Sequence, residues 1–406
     1  MTEDLVTLAD VEAAAERLDG VVKRTPVDTS RTFAERCEAD SVHLKLESLQ
    51  RTGSFKIRGA SNRIAQLGDS ELEGGIVAAS GGNHAQGVAS AAAAHDADAT
   101  IVMPEVTPMA KREATRGYGA EVVVHGEVYQ ESYERAMDIA EQRGATFVHP
   151  FNDRAVIAGQ GTVGLEMVED VPDVDTVVVA IGGGGLVSGI ATAVKAKRPE
   201  VRVVGVQTEG CAHMSESLER GEVYERDSID TITEGIAASR TEEYTFRHVH
   251  ERVDEVVNVT DADVTAAMAL LAERSKLVTE SAGAVALAAL VGDYLDVTGE
   301  TVAVPVCGAN IDLTQFADYA KAGLAALGRY RTIRITVDDW PGSLASVAAA
   351  VEETGATVDE LSRMPQRSGV EPARTELAVA VEGSGPEHLE RVAAALDGQP
   401  GVTLVE

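Results

Sequence analysis

The chain has 406 residues, more than one hydrophobic core ordinarily supports, so two or three domains are expected. Its 66 acidic residues outnumber 35 basic ones, and the formal charge of −31 argues against nucleic acid and anionic lipid as partners. With only eight lysines and 4% aromatic residues, this carboxylate-rich composition is expected of a halophilic protein, whose counterions screen self-repulsion; an acidic protein from ordinary salt is the alternative.

The opening residues MTEDLVTLAD lack the basic-then-apolar order of a secretory signal, and no apolar run reaches the roughly 18 residues of a membrane span. A cytoplasmic protein is expected. Cys37, Cys211 and Cys307 are odd in number and widely spaced, which fits reduced thiols better than a disulfide framework or a zinc site; whether another divalent metal binds is left open.

The first segment with chemical promise is TGSFKIRGA, in which Lys56 follows Phe55 and precedes Arg58 by two positions. Lys56 is either an ordinary solvated lysine or one that forms an imine, which requires partial desolvation and is helped by adjacent positive charge. From Gly74 onward, Val- and Ile-rich runs alternate with Ala-rich stretches of helical period, the pattern of parallel α/β units. Strands are expected at Ile76 to Ala79, Thr100 to Met103, Glu121 to His125, Thr176 to Ile181, Val201 to Val206 and Thr301 to Val306. Gly-rich turns cluster differently at about residues 50 to 150, which points to a smaller α/β subdomain inserted in a larger one.

SGGNHAQG falls at a strand-to-helix junction, where Ser80, Gly81, Gly82, Asn83 and His84 either cap the helix or receive an anion such as a substrate carboxylate. His84 alone reads as structural. Four glycines, Gly182 to Gly185, follow the fourth expected strand and precede Leu186 and a helix. They form either a tight turn or a phosphate cradle of main-chain amides, and without P-loop or dinucleotide spacing a single phosphate fits better. Cys307 ends the last of these strands and faces a Gly-Ala-Asn turn, either as a small core residue or as a ligand-facing group where doubly wound sheets place ligand-binding groups.

The helical pattern breaks near Gly323 to Tyr330, and from Arg331 the order reads βαββαβ, a ferredoxin-like unit with no nucleophilic or metal-binding pattern. The expected division is a catalytic domain at 1–325 and a regulatory domain at 331–406.

Together the four segments resemble the threonine and serine dehydratases, pyridoxal-phosphate (PLP) enzymes of fold type II, the tryptophan-synthase-β-like fold, over about residues 5 to 325. The resemblance implies that Lys56 carries PLP as an imine, Phe55 packs on its ring, Asn83 contacts the ring hydroxyl, and Gly182, Gly183, Gly184, Gly185 and Leu186 hold the phosphate. It places Ser80, Gly81, Gly82, Asn83 and His84 around the substrate carboxylate and Cys307 beside the pyridine nitrogen, where a neutral thiol favours elimination over transamination. Glu280, in TESAGA, is a candidate supporting residue, or simply an acid at a helix N-terminus. The C-terminal unit resembles an ACT domain, whose D-x-P-G-x-L turn matches Asp339, Pro341, Gly342 and Leu344. Such modules pair between subunits and bind amino acids, which implies a homodimer or homotetramer regulated by a branched-chain amino acid.

The implied reaction converts threonine to 2-oxobutanoate and ammonia, and serine to pyruvate and ammonia. Cys307 stands where threonine dehydratases usually have serine, which brings serine dehydratase into consideration, whereas Gly81 stands where serine racemases of this family have their serine base. A nucleotide-dependent oxidoreductase and an inactive amino-acid sensor are the readings from other classes; the first lacks a nucleotide fingerprint, and the second leaves an intact Lys56 unexplained.

Overall fold

A computed structural model describes residues 4–338, 342–364 and 374–405. The chain divides into two units, Met1–Asp312 and Leu313–Glu406. This division falls one helix earlier than the boundary expected near 325–331, because Leu313–Ala326 groups with the second unit.

Among its described residues the first unit contains ten strands: β1 (Val27–Thr29), β2 (Ser41–Lys45), β3 (Ile76–Ala79), β4 (Ala99–Met103), β5 (Glu121–Val124), β6 (Thr146–Phe147), β7 (Thr176–Ala180), β8 (Arg202–Thr208), β9 (Glu255–Val259) and β10 (Thr301–Pro305). They form a six-stranded sheet ordered β1-β2-β10-β7-β8-β9 and a four-stranded sheet ordered β5-β4-β3-β6. Every pairing is parallel except β1 with β2. The smaller sheet is inserted in the chain between β2 and β7. Strands β3, β4, β7 and β10 are buried throughout, as expected of parallel strands covered on both faces, and this is why their uninterrupted apolar runs were legible.

Strands β1, β2, β6 and β9 were not among those expected; β1 is only three residues long. SVHLK in β2 carries a lysine where a core strand should be apolar, β6 is two residues long, and β9 begins with an exposed glutamate. Lys45 is nevertheless buried, because its ammonium meets Glu166 at 2.8 Å and Asp170 at 3.0 Å and donates to the Thr25 carbonyl at 2.7 Å. A buried charge persists only with such partners.

The same ion network anchors the helix Lys56–Ile64. Arg58 is fully buried; its Nε and Nη2 donate to the two oxygens of Glu47, both at 2.8 Å. Its Nη1 and Nη2 donate to the two oxygens of Glu166 at 2.6 and 2.9 Å, and Nη1 also reaches Thr162 Oγ1 at 3.0 Å. The guanidinium therefore makes a forked contact with each of two carboxylates, a geometry lysine cannot reproduce.

The second unit adds β11 (Tyr330–Asp338), β12 (Thr357–Arg363), β13 (Arg374–Glu382) and β14 (Val402–Leu404) in an antiparallel sheet ordered β12-β13-β11-β14. Helix Ser343–Glu352 follows β11 and helix Pro386–Asp397 follows β13, giving the βαββαβ order. Their Val347, Val351, Leu389, Val392 and Leu396 share a core with Ile333, Ile335, Val337 and Val379 of the sheet. Asp339 and Pro341 of the resembled turn lie outside the described residues; Gly342 caps the first helix at φ 103°, and Leu344 is half exposed.

Glu47→Ala should destabilise the first unit by about 3–5 kcal/mol, because Arg58 remains buried with half of its neutralising charge gone. Urea unfolding of the two proteins checks this; a loss below about 1 kcal/mol, the size of an exposed pair, contradicts the assigned role.

Candidate active site

Parallel sheets bind ligands beyond the carboxyl ends of their strands, at the point where the strand order reverses. The larger sheet reverses between β10 and β7, and the loops leaving these strands carry Cys307 and Gly182 to Gly185. The smaller sheet reverses between β3 and β6, and the segments leaving them are Ser80–Asn83 and His149–Phe151. The loop after β10, Asn83 and Pro150 meet the chain around the start of the helix that carries Lys56, and the glycine loop joins them through Phe151, which packs against Gly183 and Gly185.

That convergence is visible in the backbone. Ser54 forms an isolated bridge with Gly308, the Phe55 amide donates to the Cys307 carbonyl at 3.2 Å, and the Ala309 amide donates to the Gly53 carbonyl at 2.9 Å. Thr52 is held in the left-handed region at φ 63°, with its carbonyl accepting from Asn310 Nδ2 at 2.7 Å. Asn310 also donates to Asn83 Oδ1 at 2.7 Å, and Asn83 Nδ2 donates to Glu280 Oε1 at 2.6 Å. A chain of side chains thus ties β10's exit loop to the first residue of helix Asn83–Ala93 and to the residue that precedes helix Ser281–Val291.

The Lys56 amine donates to the Pro150 carbonyl at 3.1 Å. Burial pulls its pKa down to about 8, opposed by the nearby Cys307 and Glu280. Arg58 takes no part: its charge is consumed by Glu47 and Glu166, so the expected help from adjacent positive charge is replaced by desolvation. The same burial pushes the Cys307 thiol well above its usual range, with Glu47 and Glu280 adding to the effect, so this group is a neutral thiol. Its Sγ donates to the Pro305 carbonyl at 3.3 Å. Burial raises the Glu280 carboxyl to about 7, offset in part by the hydrogen bond from Asn83.

The glycine run begins after β7, and Gly184 adopts φ 94° just before the helix Gly185–Lys197. This is a backbone conformation that a side chain would strain. A Cβ on Gly183 would overlap the ring of Phe151, which packs against the loop, so the glycine is required by close approach as well. Among the described residues the amides of Gly182, Gly183 and Gly184 have no hydrogen-bond acceptor. Three unclaimed amides beside a helix N-terminus form an anion-binding cradle.

At the other junction Ser80 Oγ accepts from the Gly82 amide at 3.1 Å, and a Cβ on Gly81 would lie 2.8 Å from Thr107 Oγ1. His84 is buried with Nε2 bonded to the Val148 carbonyl at 2.9 Å, and burial lowers its pKa to about 3. Its ring is a core element, leaving the main chain as its route to an anion. Phe55 lies with its ring centroid 5.2 Å from Lys56 Nζ, and Leu186 is buried in the first turn of the helix after the glycines. Phe151, Asn310 and the Pro150 carbonyl were not singled out from the sequence: HPFND has no spacing that marks it, and Asn310 closed a motif read for its cysteine. Among the described residues no group of three or more His, Cys, Asp or Glu side chains can hold a metal ion, the three cysteines are buried and free, and no helix is long and apolar enough to cross a membrane.

A partly buried lysine amine with a depressed pKa, an anion cradle and a neutral thiol around one crevice at the carboxyl ends of parallel strands define a cofactor-dependent α/β enzyme of fold type II. The chain belongs to the pyridoxal-phosphate dependent enzyme family, whose model matches residues 18–308. It is 45% identical to an L-threonine ammonia-lyase of Thermotoga maritima over 96% of this chain and 97% of that relative, and 41% identical to an L-threonine ammonia-lyase of Geobacter sulfurreducens over 96% of each. Solved structures of similar fold include maize serine racemase, with a TM-score of 0.75, 33% identity, 78% of this chain and 97% of that one. The processed threonine deaminase isoform 2 of Solanum lycopersicum aligns with a TM-score of 0.74 at 32% identity over 79% of this chain and 96% of that one. The residues present fit PLP: an amine able to lose its proton suits the aldehyde, three unclaimed amides suit the phosphate, and an un-ionised thiol suits an unprotonated ring nitrogen.

Folding moves the Glu280 carboxyl from 4.5 to about 7, mainly through burial, so the native apoprotein retains a proton there that the unfolded chain has released between those pH values. Its contribution to stability therefore falls as pH rises through that window. Relative to Glu280→Gln, wild-type apoprotein should lose urea resistance as pH rises from 4.5 to about 7 and hold a constant gap above it. A gap independent of pH in this window contradicts the burial of Glu280.

Proposed function

We propose that this chain is a threonine ammonia-lyase, converting L-threonine to 2-oxobutanoate and ammonia and accepting L-serine to give pyruvate and ammonia. The observation that carries the reading is the Lys56 amine, desolvated to a pKa of about 8 at the meeting point of the two sheets' switch points. Bound PLP supplies an electron sink that stabilises negative charge at the substrate's Cα.

The chain's own groups do the rest. Lys56 holds the cofactor and, once substrate has taken its place, its neutral amine removes the Cα proton. The β-hydroxyl departs as water, and hydrolysis of the released enamine returns one water and frees ammonia. Gly182, Gly183, Gly184, Gly185 and Leu186 would hold the phosphate, Asn83 would bond the ring hydroxyl, Phe55 would pack on the ring, and Cys307 would serve the ring nitrogen as an un-ionised thiol. Ser80, Gly81, Gly82, Asn83 and the His84 amide receive the substrate carboxylate at the helix N-terminus. Gly81 carries no side chain to serve as a second base, and its tight approach to Thr107 leaves little space for one, which favours elimination over the racemisation catalysed by its maize neighbour.

The second unit is proposed to be an ACT-type sensor within a homodimer or homotetramer, responding to a branched-chain amino acid, as its βαββαβ order supports. The acidic composition supports a halophilic source, and a cytoplasmic setting suits three buried free thiols.

Lys56→Ala should bind PLP without borohydride fixing the cofactor covalently to the chain and produce no 2-oxobutanoate from threonine; a turning-over variant sinks the assignment. Gly183→Ala tests the loop: apoprotein should lose most of its preference for PLP over pyridoxal, which lacks the phosphate. For the second unit, isoleucine should change the rate of 2-oxobutanoate formation in the full chain and leave a chain ending at Asp312, if active, unaffected.

A further inference from the structure

The proposed phosphate loop contains four successive glycines, the residues least able to hold a peptide plane in one orientation. Something outside the loop must therefore aim its amides. The carbonyl of Gly182 accepts from His213 Nε2 at 3.0 Å, and the carbonyl of Gly183 accepts from Thr241 Oγ1 at 3.2 Å. In a trans peptide the carbonyl and the following N–H point in opposite directions. Fixing the Gly182 carbonyl on His213 turns the Gly183 amide the other way, and fixing the Gly183 carbonyl on Thr241 does the same for Gly184. Both amides are among those of the loop that lack an acceptor among the described residues.

We infer that His213 and Thr241 are positioning residues for the cofactor phosphate, holding the Gly183 and Gly184 amides in their anion-binding orientation before the anion arrives. The inference rests on the reading of this loop as the phosphate site. Both side chains are fully buried, and each is set by further contacts. Gln207 Oε1 accepts from the amides of Met214 and Ser215 at 2.9 and 3.2 Å, which fixes that side-chain amide and directs its Nε2 toward His213, 3.3 Å from Nδ1. Gly182's oxygen can only accept and Gln207's nitrogen can only donate, so the imidazole is the neutral tautomer with its proton on Nε2. The first turn of helix His213–Arg220 is thereby connected, through Gln207 and His213, to the loop. On the other side Thr241 Oγ1 lies 2.8 Å from Thr245 Oγ1, within hydrogen-bond reach, and Thr245 packs beside Gly184.

Neither residue contacts the glycine amides, so its effect must be expressed through the orientation of the loop. Removing a pin lets a peptide plane rotate, and binding must then restore its orientation. The effect belongs to the phosphate alone, which separates it from a general loss of structure.

The test uses full-length apoprotein titrated with PLP and with pyridoxal, read by the yellow absorbance of each complex. In Thr241→Val and in His213→Ala the Kd for PLP should rise about tenfold, the scale of one lost hydrogen bond, while the Kd for pyridoxal stays at the wild-type value. Thr241→Ser, which keeps the hydroxyl, should restore PLP binding. Parallel weakening of both ligands, or no weakening of either in the near-isosteric Thr241→Val, overturns the inference. If Gly183→Ala leaves the PLP preference intact, the loop reading itself has failed; if that variant loses the preference and Thr241→Val does not, only the positioning role has failed.

Discussion

An amine that must act both as an anchor for an aldehyde and as a base has to be kept out of water without being handed a carboxylate. In the proposed reaction Lys56 meets this demand, and a second lysine shows what the alternative looks like. Lys45, the more deeply buried of the two, lies between Glu166 and Asp170 and is held as half of an ion network. Lys56 instead meets a peptide carbonyl and a neutral thiol, and the nearby carboxyl, Glu280, is engaged by Asn83 and itself pushed toward neutrality by burial. The difference between the ion-paired lysine and the one proposed to react is the company each keeps.

The topology supplies that company. Each sheet of the first unit reverses its strand order once, and each reversal opens a crevice flanked by two exit loops. Inserting the smaller sheet between β2 and β7 brings the two crevices together, so that Asn83, Pro150, Gly183 and Cys307 come from four different strands' ends. Arg58 then fixes the helix bearing Lys56 to Glu47 after β2 and to Glu166 on the helix before β7. Rigidity at the site derives from charge buried behind it.

The sequence disclosed what is local. Buried parallel strands such as Ile76 to Ala79 read directly from uninterrupted Val and Ile, and the glycine run and the SFK segment drew attention through composition alone. What it concealed is whatever depends on a partner far along the chain. Lys45 made β2 look unlike a core strand because Glu166 and Asp170 are remote in sequence. Arg58 read as a neighbour that would perturb Lys56, whereas its charge is directed away, into two carboxylates. The helix Leu313–Ala326 read as the end of the first domain because its own periodicity carries no sign of which unit it joins. His213 and Thr241 left no periodic or spacing signal, since each acts through a single main-chain oxygen.

The asparagine bridge between Thr52 and Asn83 has a bearing on how the protein is made. Asn310 stands at the very end of the first unit, yet it fastens segments laid down near the beginning. During ribosomal synthesis the early strands can pair and the helices can pack, but the crevice lacks its clasp until the final strand has emerged. Because a ligand stabilises only a chain able to hold it, PLP would lend its full stabilisation to the first unit only once Asn310 is in place to join Thr52 and Asn83.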